Sequence, residues 1–138
     1  MAYWLMKSEP DAYSWDDLVE EGEGTWDGVR NHAAAIHLKT MAVGDQAFFY
    51  HSNIGKEIIG VVTISATAHP DPTEPEGTRW VAVKVKPLRR VERPVSLAQI
   101  KGDDRLVDMA MRRQSRLSVS PVTAGEWAII MEMAQTRP

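Results

Sequence analysis

The feature that most restricts this chain lies in its middle. Ala47 to Tyr50, Ile58 to Ala68 and Trp80 to Val85 are runs rich in β-formers, and the first two are split by turn chemistry rather than by a helix. Asn53-Ile54-Gly55 suits a hairpin, because asparagine and glycine accept the left-handed backbone that tight turns demand. In the third run Val81, Val83 and Val85 fall on one face and Trp80, Ala82 and Lys84 on the other, the period of a half-buried strand. Strands that succeed one another through short turns pair antiparallel. The expected fold is therefore α+β around a curved antiparallel sheet or small β-barrel of four or five strands, with parallel βαβ winding disfavoured.

Around that centre the capping signals place short helices. Tyr3-Trp-Leu-Met6 opens as a strand that turns at Pro10. Ser14 three residues before Asp17 is a variant capping box for a helix through Leu18 and Val19 to Gly22. Asn31 to Met41, with three consecutive alanines, predicts a second helix that buries Ala34, Ile36, Leu38 and Met41 and stops at Val43-Gly44-Asp45. Ser96 caps a short helix to Gly102, another spans about Arg105 to Arg113, and Thr123-Ala-Gly-Glu126 opens a last helix carrying Trp127, Ile130 and Met131. His69 to Gly77, with its prolines, reads as a surface connection between strands. A length of 138 residues suits one domain, residues 1–138, with one core.

Composition removes several function classes. The chain has no cysteine, so disulfides, thiolate chemistry and Cys-type zinc sites are excluded. No apolar run approaches the ~18 residues of a membrane span, and no basic-then-apolar leader is seen at the N-terminus, which predicts a cytoplasmic protein without a membrane partner. The net charge of −3 hides an asymmetry: residues 1–78 carry 4 basic and 13 acidic side chains, and residues 79–116 carry 11 basic and 4 acidic. Either the second segment faces phosphate, or it is a solvated face balanced by acidic neighbours.

Motifs for catalysis are poor. His51 and Ser52 are adjacent on a strand and so point to opposite faces, and no nucleophile-elbow glycine pattern surrounds a serine. His32 and His37, five apart, lie about 140 degrees apart around a helix and cannot share a metal. No Walker loop or Gly-x-Gly-x-x-Gly is present, so no cofactor or metal is expected. What stands out is aromatic and hydrogen-bonding residues near turns: Lys7-Ser-Glu-Pro10, Thr25 to Asn31, Tyr50 to Asn53 and Arg113 to Ser118. A pocket that reads one base needs a ring for stacking and a few donors and acceptors for the base edge. Trp4, Trp80 and Trp127 read as core aromatics, whereas Trp26, between Thr25 and Asp27-Gly28, is a candidate stacking platform.

The same segments carry a family resemblance. Tyr3-Trp-Leu-Met-Lys-Ser-Glu-Pro10, Trp26-Asp-Gly-Val-Arg-Asn31, Met41 with Val43-Gly-Asp45, Tyr50-His-Ser52 and Pro70-Asp-Pro72 follow one another as in EVE domains of the PUA-like superfamily, a match over nearly the whole chain. The resemblance implies a curved barrel flanked by short helices and a non-enzymatic module. Such a module reads a modified base in DNA or RNA, for example methylated or hydroxymethylated cytosine or methylated adenine. Carried over by motif, Lys7 and Ser8 line the pocket, Trp26 stacks, Val29, Arg30 and Asn31 continue that wall, Tyr50, His51 and Ser52 form another, and Ser115, Arg116 and Leu117 close it. Arg89, Arg90 and Arg93, following the Trp80 strand, and Arg112 and Arg113 would touch phosphate. Glu9 and Asp27 would contribute by orienting Lys7 and Arg30. With only Trp26 and Tyr50 as ring candidates, a fully aromatic methyl cage of the YTH type is not expected. Competing readings are an enzyme on modified nucleic acid or nucleotide using His51 or Glu9, and a small-metabolite or protein-interaction module. Nothing in the pattern marks an oligomer interface.

Overall fold

In the computed structural model, which describes residues 1–74 and 79–135, the apolar alternation becomes a six-stranded sheet. Its strands are β1 Tyr3–Ser8, β2 Gly24–Trp26, β3 Gln46–His51, β4 Glu57–Pro70, β5 Val81–Ser96 and β6 Val119–Val122, in the order β2-β5-β4-β3-β1-β6. All pairings are antiparallel except β1 with β3, which run parallel from Tyr3 opposite Gln46 to Ser8 opposite His51. That pair corrects the all-antiparallel expectation. Helices α1 (Trp15–Glu21) and α2 (His32–Thr40) lie between the two strands with β2, a crossover long enough to bring the chain back to its starting end.

Both faces of the sheet are covered, and strand alternation sorts the core between them. Trp4, Met6, Ala47 and Phe49 join Trp15 and Leu18 of α1 and Ala34 and Leu38 of α2 in one cluster. Leu5, Phe48 and Tyr50 point the other way, against α3 (Leu97–Lys101), α4 (Ala110–Arg113) and α5 (Ala124–Gln135). β5 serves both clusters, Val83 and Val85 in the first and Val91 and Val95 in the second, with register shifts along its pairing with β4. At Gly60 an added Cβ would come within 2.5 Å of the Trp15 ring, so glycine is what lets the indole lie on β4.

The predicted caps form: Ser14 with Asp17, Ser96 with Gln99, and Thr123 with Glu126 each exchange side-chain and backbone hydrogen bonds. The hairpin turn forms too, with φ of 66° at Asn53 and 86° at Gly55. Other expectations need correction. Ile36 is 61% exposed, because it lies about 200 degrees around α2 from Ala34 and from Leu38. The helix expected over Arg105 to Arg113 is a 3-10 turn at Asp104–Leu106 and then α4, separated where Met109 takes an extended ψ of 132°. Arg89, Arg90 and Arg93 lie on β5 itself, which runs well past Val85. Of the predicted 69–77 loop, His69 and Pro70 end β4, and positions 75–77 lie outside the described residues.

Candidate nucleic-acid interface

The strand β2 is held against β5, with Trp26 opposite Val83, and its end delivers Trp26 to the wall of a cavity of about 560 Å³. The indole is 6% exposed and most of it belongs to the first core cluster, so it is a strand-borne core residue with one border on the cavity rather than a turn-borne platform. Phe49 meets it at 5.4 Å and 86°, Tyr13 at 6.3 Å and 85°. Among the described residues, no aromatic ring lies parallel to it.

Lys7 and Ser8 at the end of β1 form the next wall. The Lys7 ammonium donates to the Ser115 carbonyl at 2.8 Å, its backbone N–H to Ser118 at 2.9 Å, and desolvation lowers its pKa. Ser8 Oγ donates to the Tyr13 carbonyl at 2.6 Å.

The loop Asp27 to Asn31 completes the lining and is anchored from beneath by Asp71. This carboxylate is buried and accepts from the Gly28 N–H at 2.8 Å, from Arg30 Nη1 at 2.9 Å, and from the Thr73 N–H and hydroxyl at 2.7 and 2.6 Å. Burial alone would raise its pKa, but the bonds from Thr73, Arg30 and Gly28 prevail and hold it well below the usual carboxylate range. Gly28 has φ +75, which a side chain would strain in the residue whose N–H meets Asp71. Arg30 also donates to Thr73 Oγ1 at 3.2 Å and lies 5.6 Å from the Trp80 ring. Val29 is buried, and Asn31 Oδ1 accepts from the Ala34 N–H at 3.0 Å as the N-cap of α2.

Asn31 also lines a second, adjoining cleft of about 370 Å³ with Arg113, Gln114, Ser115, Arg116 and Leu117. Ser115 and Arg116 thus stand beside the cavity rather than closing it, and Leu117 is buried in the first core cluster. Among the described residues that line this cleft none is acidic, whereas Glu9, Glu21, Glu23 and Asp27 all line the main cavity.

The structure does not bring the other predicted wall to the cavity. Tyr50 follows Phe49 on β3 and therefore faces the second core cluster, where it is buried. His51 Nε2 accepts from the Trp15 N–H at 3.1 Å, which fixes its tautomer at the start of α1. Desolvation first, with Arg90 adding and Glu57 and Asp16 opposing, lowers its pKa. Ser52 donates its N–H to the Ser8 carbonyl at 2.9 Å. The orienting pairs also differ from expectation: Arg30 bonds Asp71, not Asp27, and Glu9 accepts from Asn53 at 2.9 Å rather than from Lys7.

The arginines divide. Arg89 and Arg90 line a cleft beside α5, and Arg93 another with Gln99 and Glu132, apart from the cleft of Arg113 and Arg116. Arg90 pairs with Asp16 at 3.6 Å and Arg113 with Asp108 at 3.4 Å. Arg112 is turned inward, donating to the Ile100 and Asp103 carbonyls at 3.4 and 3.2 Å.

Sequence reasoning missed Tyr13, Glu21, Glu23 and Thr25 as lining residues, and gave Asp27 only an orienting role. The available signal was the acidic excess of the first 78 residues. Tyr13 donates to Glu21, and burial and then that carboxylate raise the phenol pKa. The Asp27 pKa is also raised, first by partial burial and then by Asp71, with Glu21 adding and its own backbone N–H and Arg30 opposing.

A curled sheet wrapped by helices, with an aromatic and polar cavity at one rim, is a PUA-like module. The chain belongs to the EVE-domain family, whose model matches residues 2–133. It is similar to thymocyte nuclear protein 1 of Mus musculus, 33% identical over 169 positions that cover 99% of this chain and 75% of the relative. Among solved structures it resembles human THYN1 in complex with 5-methylcytosine-containing DNA, at 30% identity, TM-score 0.93 and full coverage of both chains. It also resembles Rpa0253 of Rhodopseudomonas palustris, at 49% identity and TM-score 0.91 over 97% of this chain and 93% of that one. The likeness to an ASCH protein of Zymomonas mobilis, 11% identical at TM-score 0.58, is one of fold alone. The cytoplasmic expectation does not stand, since relatives from mouse to human carry the name thymocyte nuclear protein 1.

Proposed function

We propose that this chain is a single, non-enzymatic DNA-binding module that takes one modified base, extruded from its strand, into the cavity beside Trp26. The observation that carries the reading is the junction at Asn31, where a cavity bordered by an indole meets a cleft bearing Arg113 and Arg116. A base needs the first environment and its phosphodiester the second. The human relative solved on 5-methylcytosine DNA makes methylated cytosine the first candidate.

Extruding a base costs a few kcal/mol of stacking and pairing, and stacking on Trp26, at ~1–3 kcal/mol, offsets part of it. Lys7 and the Asn31 amide supply donors to the base edge, and Ser8 Oγ, whose proton goes to the Tyr13 carbonyl, supplies an acceptor. Arg30, held by Asp71, sets the loop rather than seeking phosphate. Arg113, Arg116 and Ser115 position the backbone, and Arg89, Arg90 and Arg93 add nonspecific attraction from further along β5. His51, whose acceptor nitrogen is occupied by the Trp15 amide, is not offered as a catalytic base.

The test is a titration of purified protein with single strands carrying cytosine, 5-methylcytosine, 5-hydroxymethylcytosine or N6-methyladenine at one site. Tighter binding of a modified strand, lost on Trp26→Ala with the fold retained, is the expected result. Equal, weak and salt-sensitive binding to every strand overturns the reading.

A further inference from the structure

A reader of 5-methylcytosine faces a specific competitor. Thymine carries the same 5-methyl group on the same ring, so neither stacking on Trp26 nor contact with Val29 separates the two. They differ at position 4, an amine in cytosine and a carbonyl in thymine, and at N3, which is bare in cytosine and protonated in thymine. Rejecting thymine therefore needs a hydrogen-bond acceptor where the 4-substituent lies, and a carboxylate is the side chain that accepts from the cytosine amine.

Several carboxylates line the cavity, and their contacts set them apart. Glu9 accepts from Asn53, Glu21 from Tyr13 and Glu23 from Ser65. Asp27 directly follows the indole at the end of β2 and, among the described residues, its carboxylate meets only its own backbone N–H and takes no hydrogen bond from another residue. The nearby Arg30 is already bonded to Asp71 and Thr73.

Building on the base-reading function, we propose that Asp27 is the specificity-determining residue of the cavity: its carboxylate accepts from the exocyclic amine of the inserted base, admitting 5-methylcytosine and rejecting thymine. A thymine in the same pose turns its O4 toward the carboxylate, acceptor against acceptor, in a cavity that Glu21 and Glu23 already make negative. The raised pKa of Asp27 fits a group held ready for a ligand rather than one satisfied by the fold.

The experiment compares matched single strands carrying 5-methylcytosine, cytosine or thymine at one position, bound by wild type, Asp27→Asn and Glu23→Gln. Wild type is expected to prefer 5-methylcytosine to thymine by about tenfold or more, the scale of one well-placed base contact. Asp27→Asn keeps the shape and adds a donor that suits thymine O4, and it is expected to bring the two strands within about threefold of each other, while Glu23→Gln keeps the wild-type ratio. Folding of each variant is checked by circular dichroism. A wild type that binds 5-methylcytosine no better than cytosine removes 5-methylcytosine as the base that is read, and this proposal with it, while the base-reading function itself falls only if the other modified strands bind no better. A wild-type methyl preference together with an unchanged 5-methylcytosine-to-thymine ratio in Asp27→Asn overturns this proposal alone. An equal collapse in Glu23→Gln overturns it in favour of a general negative field.

Discussion

The two faces of the sheet are both rich in aromatic rings and use them in opposite ways. On the α5 face Trp127 stacks on Phe48 at 3.9 Å and 15° and on Tyr3 at 4.4 Å and 21°. On the cavity face Trp15, Trp26, Phe49 and Tyr13 meet at 80° to 86°. Parallel stacking uses up ring faces, whereas edge-to-face contact gives comparable attraction without layering one ring on another. The α5 face thus spends its aromatics on the fold, and the cavity face keeps one indole bordering open space.

The comparison breaks most visibly if Trp127 matters to binding. Trp127→Ala is expected to cost about 3–5 kcal/mol of stability, measured by urea unfolding. The protein that remains folded should bind a modified strand with unchanged affinity.

Asp71 sharpens it on the other side. Asp71→Asn weakens a buried acceptor that serves Gly28, Arg30 and Thr73, at an expected cost of about 1–3 kcal/mol, and loosens the loop that borders the cavity. Base affinity should fall along with stability. Because the folded pKa is depressed below 3.8, the unfolded chain takes up the proton first. The Asp71 contribution is therefore full above pH 3.8 and lost as pH falls below it. Asp45, also depressed, adds to the same acid sensitivity, with burial opposed by bonds from Ala42, Trp4 and Ala2. Acid unfolding of Asp71→Asn, followed by circular dichroism, should be less steep than that of wild type.

A smaller effect separates the indole from its neighbours. Trp26→Phe retains an edge-to-face partner for Phe49 but offers a smaller ring to the base. It is expected to lower affinity for the modified strand by about fivefold with a modest loss of stability, given ~1–3 kcal/mol for a full stacking contact. Equal affinity would mean that the base does not reach the indole.

How far the sequence revealed this depends on how local each determinant is. The caps at Ser14, Ser96 and Thr123 were legible because donor and acceptor lie three residues apart. β2 was not, because Gly24-Thr25-Trp26 is too short to show a period. The far half of β5 was hidden by Pro87, Pro94 and its charges, residues that suit a stretch β2 does not cover, since β2 pairs only with Val83 to Val85. The parallel pairing of β1 with β3 depends on a crossover and leaves no local mark. In the site, the Trp26 to Asn31 segment was readable from ring and polar residues near a turn. The bond from Arg30 to Asp71 spans 41 residues and was not. Tyr50 was assigned to the pocket by its motif, although the alternation that makes β3 a strand puts Phe49 and Tyr50 on opposite faces.

His51 yields the smallest expected effect. It lies on the cavity face against Phe49, at 5.6 Å and 76°, yet its work there is structural, accepting the first amide of α1. Its pKa is lowered from 6.5, so protonation is easier in the unfolded chain. Stability from this group is then complete above pH 6.5 and declines as pH falls below it, the opposite of a histidine that gains an anionic partner on folding. His37, lowered by desolvation, contributes a slope of the same sign. His51→Gln retains an acceptor without a titrating ring. Between pH 7 and 5 its melting temperature should fall less than that of wild type, with base affinity unchanged at pH 7. If affinity at pH 7 dropped instead, His51 would belong to the reading surface, which would then include a β3 residue that the cavity walls do not.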